Sequence, residues 1–96
     1  MENTVVNDLI KVNEKKLKDM GEPFGSVKSL KSDIRVISGR MPYTKYGDGL
    51  SNGDIIVNTT AISETSTHLF FYGYTAHIKD NQVVANKYDV GYNSLK

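Results

Sequence analysis

The chain has 96 residues, and its 12 basic and 11 acidic side chains give a formal net charge of +1. This near balance excludes a polyanion or a DNA mimic, and a hydrophobic content of 39% lies well above that of disordered chains. The absence of cysteine excludes disulfides, thiolate zinc sites and cysteine nucleophiles. We therefore expect a single small domain over residues 1–96.

The N-terminal segment does not resemble an export signal. Charged residues are spread through residues 1–20, and no apolar core interrupts them. The chain also contains no run of about 18 apolar residues, the minimum for a helix that spans a membrane. We expect a cytoplasmic protein that does not associate with membranes.

Residues 3–20 predict an amphipathic helix, because their apolar side chains fall on one face at the helical period. These side chains are Val5, Val6, Leu9, Ile10, Val12, Leu17 and Met20. Asn3 or Thr4 is expected to cap the start of the helix, and Gly21 to end it. Asn13 and Lys16 interrupt the apolar face, so the helix is expected to lie on a sheet with the lysine stem extending to water.

The rest of the chain predicts β-strands, since its apolar segments are rich in β-branched and aromatic residues. The predicted segments are 27–30, 33–38, 54–62, 67–79 and 82–92. Asp80 and Asn81 tolerate positive φ and predict a two-residue hairpin turn between the last two segments. The expected fold is α+β, with one N-terminal helix packed on a mainly antiparallel sheet of about four strands.

The predicted hairpin has two apolar faces. Its register places Ile78 opposite Val83 and Phe71 opposite Val90, and neither face is then polar. One helix can cover only one face, so we expect an exposed aromatic patch, of a kind that marks interaction sites. The patch consists of Phe70, Tyr72 and Tyr74. The alternative is that residues 39–53 fold back over it as a lid.

Residues 39–53 form an unusually long segment without periodicity, and such loops are often functional. Arg40 and Lys45 supply positive charge, and Tyr43 and Tyr46 could flank a flat group. Four glycines allow the backbone to approach a ligand closely. The segment predicts a site for a small anionic ligand or an acidic protein surface. The alternative is a solvated connector.

Catalytic and metal signatures are missing from the sequence. His68 and His77 lie nine residues apart on one predicted strand, hence on opposite faces. They are also separated by about 30 Å, too far for a catalytic dyad. Neither a metal-ligand spacing nor a nucleotide-binding motif occurs, so we assign no catalytic residue, metal or cofactor. Ten of the twelve basic residues are lysines interleaved with acids, which disfavours nucleic acid as a partner.

Two hypotheses for function follow. The first is a non-catalytic binding or inhibitor-type accessory protein that forms a homo-oligomer. It would recognise a protein partner or a small anionic, nucleotide-like ligand through loop 39–53 and the aromatic patch. The alternative is a small ribonuclease or other hydrolase, in which folding brings together Arg40, Lys45, a histidine and a carboxylate such as Glu64.

Overall fold

The computed structural model describes residues 3–20, 24–39 and 49–95. Within these ranges one helix, α1 (Thr4–Met20), precedes four strands: β1 (Ser26–Val36), β2 (Ile55–Glu64), β3 (His68–Lys79) and β4 (Gln82–Ser94). The strands form one antiparallel sheet in chain order. The predicted α+β fold is confirmed, and the two predicted segments before residue 39 form the single strand β1.

Helix α1 begins as the sequence predicts. The side chain of Asn3 accepts a hydrogen bond from the backbone N–H of Val6 at 3.2 Å, which satisfies one of the free donors of the first turn. Gly21, the predicted end of the helix, lies outside the described residues. No helix among residues 3–20, 24–39 and 49–95 combines the length and the apolar character needed to cross a membrane.

The face that α1 turns to the sheet differs from the prediction at its centre. Val6 and Leu17 are buried as expected, but Val12 is 50% exposed and Asn13 is completely buried. Asn13 and Asn86 of β4 each donate one amide hydrogen bond to the other, at 3.1 and 3.0 Å. Because both amides are paired, their burial carries little penalty, and the pair holds the helix to β4.

Strands β3 and β4 are joined by the predicted hairpin. Asp80 and Asn81 have φ values of 51° and 63°, as a two-residue turn requires. Ile78 lies opposite Val83, as expected. An irregularity then shifts the register by one residue from His77 onward.

This shift changes the faces of the sheet, because a slip of one residue moves every later side chain to the other side. Tyr72, and not Phe71, lies opposite Val90, and Tyr74 lies opposite Tyr88. The predicted register beyond the hairpin tip is therefore wrong. The apolar side chains of β4 share a face with Tyr72 and Tyr74.

Helix α1 packs on the face that carries the three predicted patch rings. Val6 packs in a cluster with β2 and β3, and Leu17 packs with Ala61 and Tyr72. Tyr72 is only 1% exposed, and its Oη lies 2.6 Å from Ser63 Oγ. Phe70 and Tyr74 are half-buried. The expected exposed row does not form, because α1 covers this face of the sheet and buries Tyr72 against Leu17.

Gly73 lets β2 and β3 approach each other closely in the middle of the sheet. A Cβ atom at this position would overlap the backbone carbonyl of Thr59 on β2. Gly91 on β4 lies opposite Phe71, next to the Gly73–Asp89 pair, and a Cβ atom at Gly91 would meet open space. The absence of both side chains leaves a depression on the side of the sheet opposite α1.

Candidate functional site

The sheet face opposite α1, which we term the open face, is covered by no helix or strand among the described residues. Strand alternation and register place four half-buried apolar side chains on it, all from the two central strands. They are Ile56, Ile62, Leu69 and Phe71. The open face therefore has an apolar centre.

Charged side chains border this apolar centre on both outer strands. Lys31, Asp33 and Arg35 lie on the open face of β1, and Lys87 and Asp89 lie on that of β4. All five are exposed. Between them, the middle of the two central strands carries neutral side chains, and the charged groups of these strands, Glu64 and Lys79, lie at strand ends.

A shallow groove of about 370 Å³ crosses the open face above Gly73. Phe71 and Thr75 flank it along β3, and Asp89 lies at its β4 side. Thr75 donates a hydrogen bond to Asn58 at 2.8 Å, which fixes one polar wall of the groove.

A second group of polar side chains, the Asp54 cluster, lies at the end of the open face where β2 begins. The Asp54 carboxylate accepts hydrogen bonds from the Ser51 backbone N–H at 3.0 Å, from His77 Nε2 at 2.8 Å and from Lys79 Nζ at 3.2 Å. Asp54 is 5% exposed and His77 is 6% exposed. The cluster is therefore a buried, hydrogen-bonded carboxylate–histidine pair with a lysine at its edge.

The charge state of Asp54 follows from these contacts. Burial by itself raises the pKa of the carboxyl group, but the hydrogen bonds from Ser51, His77 and Lys79, together with the Lys79 charge, outweigh burial and hold the pKa below its usual value. Asp54 is ionised at neutral pH, so His77 donates its Nε2–H to it. The pair fixes the orientation of the imidazole ring.

The predicted loop residues Arg40, Tyr43, Lys45 and Tyr46 lie outside the described residues, and their binding role stays a prediction. The ends of their segment are described. Ile37 N–H donates to the Asp54 carbonyl at 2.8 Å, and Gly53 N–H donates to the Ile37 carbonyl at 2.9 Å. The described residues on either side of residues 40–48 therefore lie beside the Asp54 cluster.

The two histidines lie at opposite ends of β3 and on opposite faces, as the sequence predicts. His68 lies on the helix side against Phe70 and Tyr92, with ring centroids 5.9 and 5.5 Å away. Glu64, the carboxylate named in the hydrolase hypothesis, pairs instead with Lys28 at 3.3 Å. It lies at the other end of β2 from Asp54.

Sequence reasoning missed Asp54, which follows a glycine and looks like a turn residue. The signal that could have found it is the pairing of β2 with β3. Ile55 lies opposite Ile78, and one further step brings Asp54 beside Lys79 and His77. Within the described ranges, no three histidine, aspartate or glutamate side chains gather in a way that could hold a metal ion.

No family model matches this chain, and neither the curated proteins nor the solved structures contain a significant match to it. Geometry and chemistry therefore carry the functional conclusion.

Proposed function

We propose that the protein is a non-catalytic binding protein that recognises a protein partner through the open face of its sheet. The observation that carries this proposal is the distribution of side chains on that face. Apolar groups lie on the two central strands, charged groups lie on the two outer strands and at the ends of the central ones, and the only described helix packs on the other side.

This pattern matches the anatomy of protein interfaces, in which an apolar centre is surrounded by a polar rim. Phe71 is the largest apolar side chain at the centre, and it stands beside the groove above Gly73. A groove of about 370 Å³ has room for a projecting side chain of a partner. Phe71 is therefore the residue whose loss is expected to cost most affinity.

The predicted loop is compatible with this surface, because its described ends lie at one end of the open face. His77 and Lys79 both project to that face and are held by Asp54. The positive charge of Lys79 is balanced by this carboxylate, 3.2 Å away. The charge available for an acidic group on the partner would come from Arg40 and Lys45 of the loop.

The first test is affinity capture from a lysate of the source cells, followed by titration of the captured protein. Phe71→Glu is expected to weaken binding by about 2 kcal/mol or more, the scale of an interface hot spot. Val36→Glu is the matched control, because Val36 is 64% exposed on the helix side of an edge strand. It is expected to bind as the wild type does.

The loop is tested with the same captured partner. Arg40→Ala combined with Lys45→Ala is expected to weaken binding by about 1.5–3 kcal/mol, the scale for losing a hydrogen bond to a charged group. Full binding by folded Phe71→Glu would overturn the open face as the site. Full binding by the loop variant alone would restrict the site to the sheet.

A second candidate, a small hydrolase or ribonuclease, is favoured by the 2.8 Å contact between Asp54 and His77. A carboxylate that holds one imidazole nitrogen fixes the orientation of the ring, as in histidine general bases. The cations predicted for this activity, Arg40 and Lys45, belong to the segment whose ends adjoin the pair.

Turnover assays on RNA and on nucleotides distinguish the two candidates. As a non-catalytic protein, the wild type is expected to show no turnover above the background of a mock purification. Turnover that is lost in His77→Ala and kept in His68→Ala, with both variants folded, would contradict this and support the hydrolase. His68 serves as the control because it lies on the other face of β3.

A further inference from the structure

We propose that the free edge of β4 pairs with β4 of a second copy of this chain, antiparallel and centred on Tyr88, to form a symmetric dimer. This inference does not rest on the proposed function, although it uses Lys87 and Asp89, which lie on the open face beside the edge. Strand β4 has 13 residues and is the last strand of the sheet, and no strand among the described residues pairs with its outer side.

The backbone of β4 presents alternate residues to this edge. Val90 N–H donates to its neighbour Asp89 at Oδ1, at 2.9 Å, which places the Val90 backbone on the outer side. Leu95 N–H donates inward to Thr67 O at 2.9 Å. Since N–H groups alternate along a strand, both observations place the same set of backbone groups outward: those of Asn86, Tyr88, Val90 and Tyr92.

The register centred on Tyr88 is self-complementary in backbone geometry. Tyr88 lies opposite the partner's Tyr88, and Val90 lies opposite the partner's Asn86, with outward N–H and C=O groups facing each other. These pairs supply about six interstrand hydrogen bonds. In the dimer, Val90 N–H donates to the partner's backbone instead of to Asp89 Oδ1.

The same register is complementary in charge. Lys87 and Asp89 flank Tyr88 and lie on the open face, so Lys87 faces the partner's Asp89 and Asp89 faces the partner's Lys87. These residues occupy non-hydrogen-bonded positions, where facing side chains lie closest. Two symmetric ion pairs result.

Apolar side chains on the helix side of β4 are covered by the same contact. Tyr88, Val90 and Tyr92 are 40%, 46% and 67% exposed. Around the two-fold axis the two Tyr88 rings meet, and each Tyr92 approaches the partner's Val84. Pairing therefore removes exposed apolar surface from water while it satisfies an open strand edge.

The other edge of the sheet, β1, is less suited to pairing. Antiparallel pairing of two β1 strands about Ser32 would also place Lys31 of one copy opposite Asp33 of the other. However, β1 has a net positive charge, with three basic residues, Lys28, Lys31 and Arg35, and a single acid, Asp33. Two such edges repel each other, and lysine-rich edges are a common protection against pairing. Strand β4 carries one lysine and one aspartate, so its two copies balance.

Charge exchange across the proposed interface tests the register. We expect the wild type to sediment at twice the 10.7 kDa of one chain at micromolar concentration and low ionic strength. Lys87→Glu alone and Asp89→Lys alone each place like charges opposite each other twice. Each is expected to raise the dimer dissociation constant by about tenfold or more.

Two further samples make the test specific. The double variant Lys87→Glu with Asp89→Lys restores both opposite-charge pairs and is expected to dimerise within about threefold of the wild type. An equimolar mixture of the two single variants also restores both pairs and is expected to form the heterodimer. Since the mixture contains the same folded chains as the single samples, a folding defect cannot produce this result.

The control is the same exchange on β1, with Lys31→Glu and Asp33→Lys made singly, which is expected to leave the dimer unchanged. A wild type that sediments only as a 10.7 kDa species at micromolar concentration would overturn the proposal. So would a mixture that associates no better than its components. Growth beyond a dimer with concentration would instead indicate pairing of β1 with β4, since head-to-tail contacts of that kind do not close.

Discussion

Tyr72→Lys is expected to abolish cooperative folding. The side chain is 1% exposed beneath α1, in a cluster with Leu17 and Ala61. An unpaired ammonium group in such a site costs several kcal/mol, and the substitution also removes a large ring whose loss costs about 3–5 kcal/mol. The sum is comparable to the total stability of a small domain, about 5–15 kcal/mol. Circular dichroism during a denaturant titration is the measurement.

The neighbouring residue provides the matched control. Phe71→Lys introduces the same charge one position along β3, on the open face, where the ammonium group can reach water. This variant is expected to remain folded. The reverse result, with Phe71→Lys unfolded and Tyr72→Lys folded, would mean that α1 packs on the other face.

A conservative variant separates packing from hydrogen bonding at the same site. Tyr72→Phe keeps the ring and removes only the hydroxyl, which leaves the buried Ser63 Oγ without its partner at 2.6 Å. A loss of about 1–2 kcal/mol in the free energy of unfolding is expected. A change near zero would show that Ser63 finds another partner.

The features that could be predicted from the sequence are those set by local interactions. The periodicity of residues 3–20 and the cap at Asn3 depend on neighbours a few residues away. The turn at Asp80 and Asn81 depends on their tolerance of positive φ. These elements in turn determine the fold class, because one helix and successive antiparallel strands have few ways to pack.

The choice of covered face could not be predicted in this way. Both faces of the hairpin are apolar, and contacts between distant segments determine which of them α1 covers. Asn13 shows the difficulty, since its burial makes sense only when Asn86, more than seventy residues later, lies opposite it. The register shift at His77 is likewise invisible in the turn residues. An exposed aromatic row was therefore predicted where the helix lies.

The candidate site likewise has one part that could be predicted from the sequence and one part that could not. The apolar and charged positions of the open face follow from strand alternation once the register is known. The Asp54 cluster requires three separate segments to meet: the turn at Ser51, the start of β2 and the end of β3. Asp54 and Lys79 are unremarkable in the sequence, and only the pairing of β2 with β3 makes their contact evident.

Asp54→Ala is expected to lower the free energy of unfolding at neutral pH by about 2–3 kcal/mol, the scale of hydrogen bonds to a charged group. The carboxylate is 5% exposed and satisfies both the Ser51 backbone N–H and His77. Its removal leaves these donors unpaired in a site that water reaches poorly. Urea unfolding of the two proteins measures the difference. Asp54→Asn is the matched variant, since it keeps the shape and an acceptor oxygen but removes the charge.

The pH dependence gives the sharper result, because the pKa of Asp54 in the folded protein lies below its ordinary value of 3.8. The unfolded chain then takes up the proton more readily, so protonation favours unfolding. The difference in the free energy of unfolding between the wild type and Asp54→Asn should have its full value above the ordinary pKa of aspartate. It should shrink as the pH falls through the pKa of Asp54 in the folded protein. A difference that grows on acidification would mean that burial outweighs the bonds from Ser51, His77 and Lys79, and that the cluster is held together by a neutral acid.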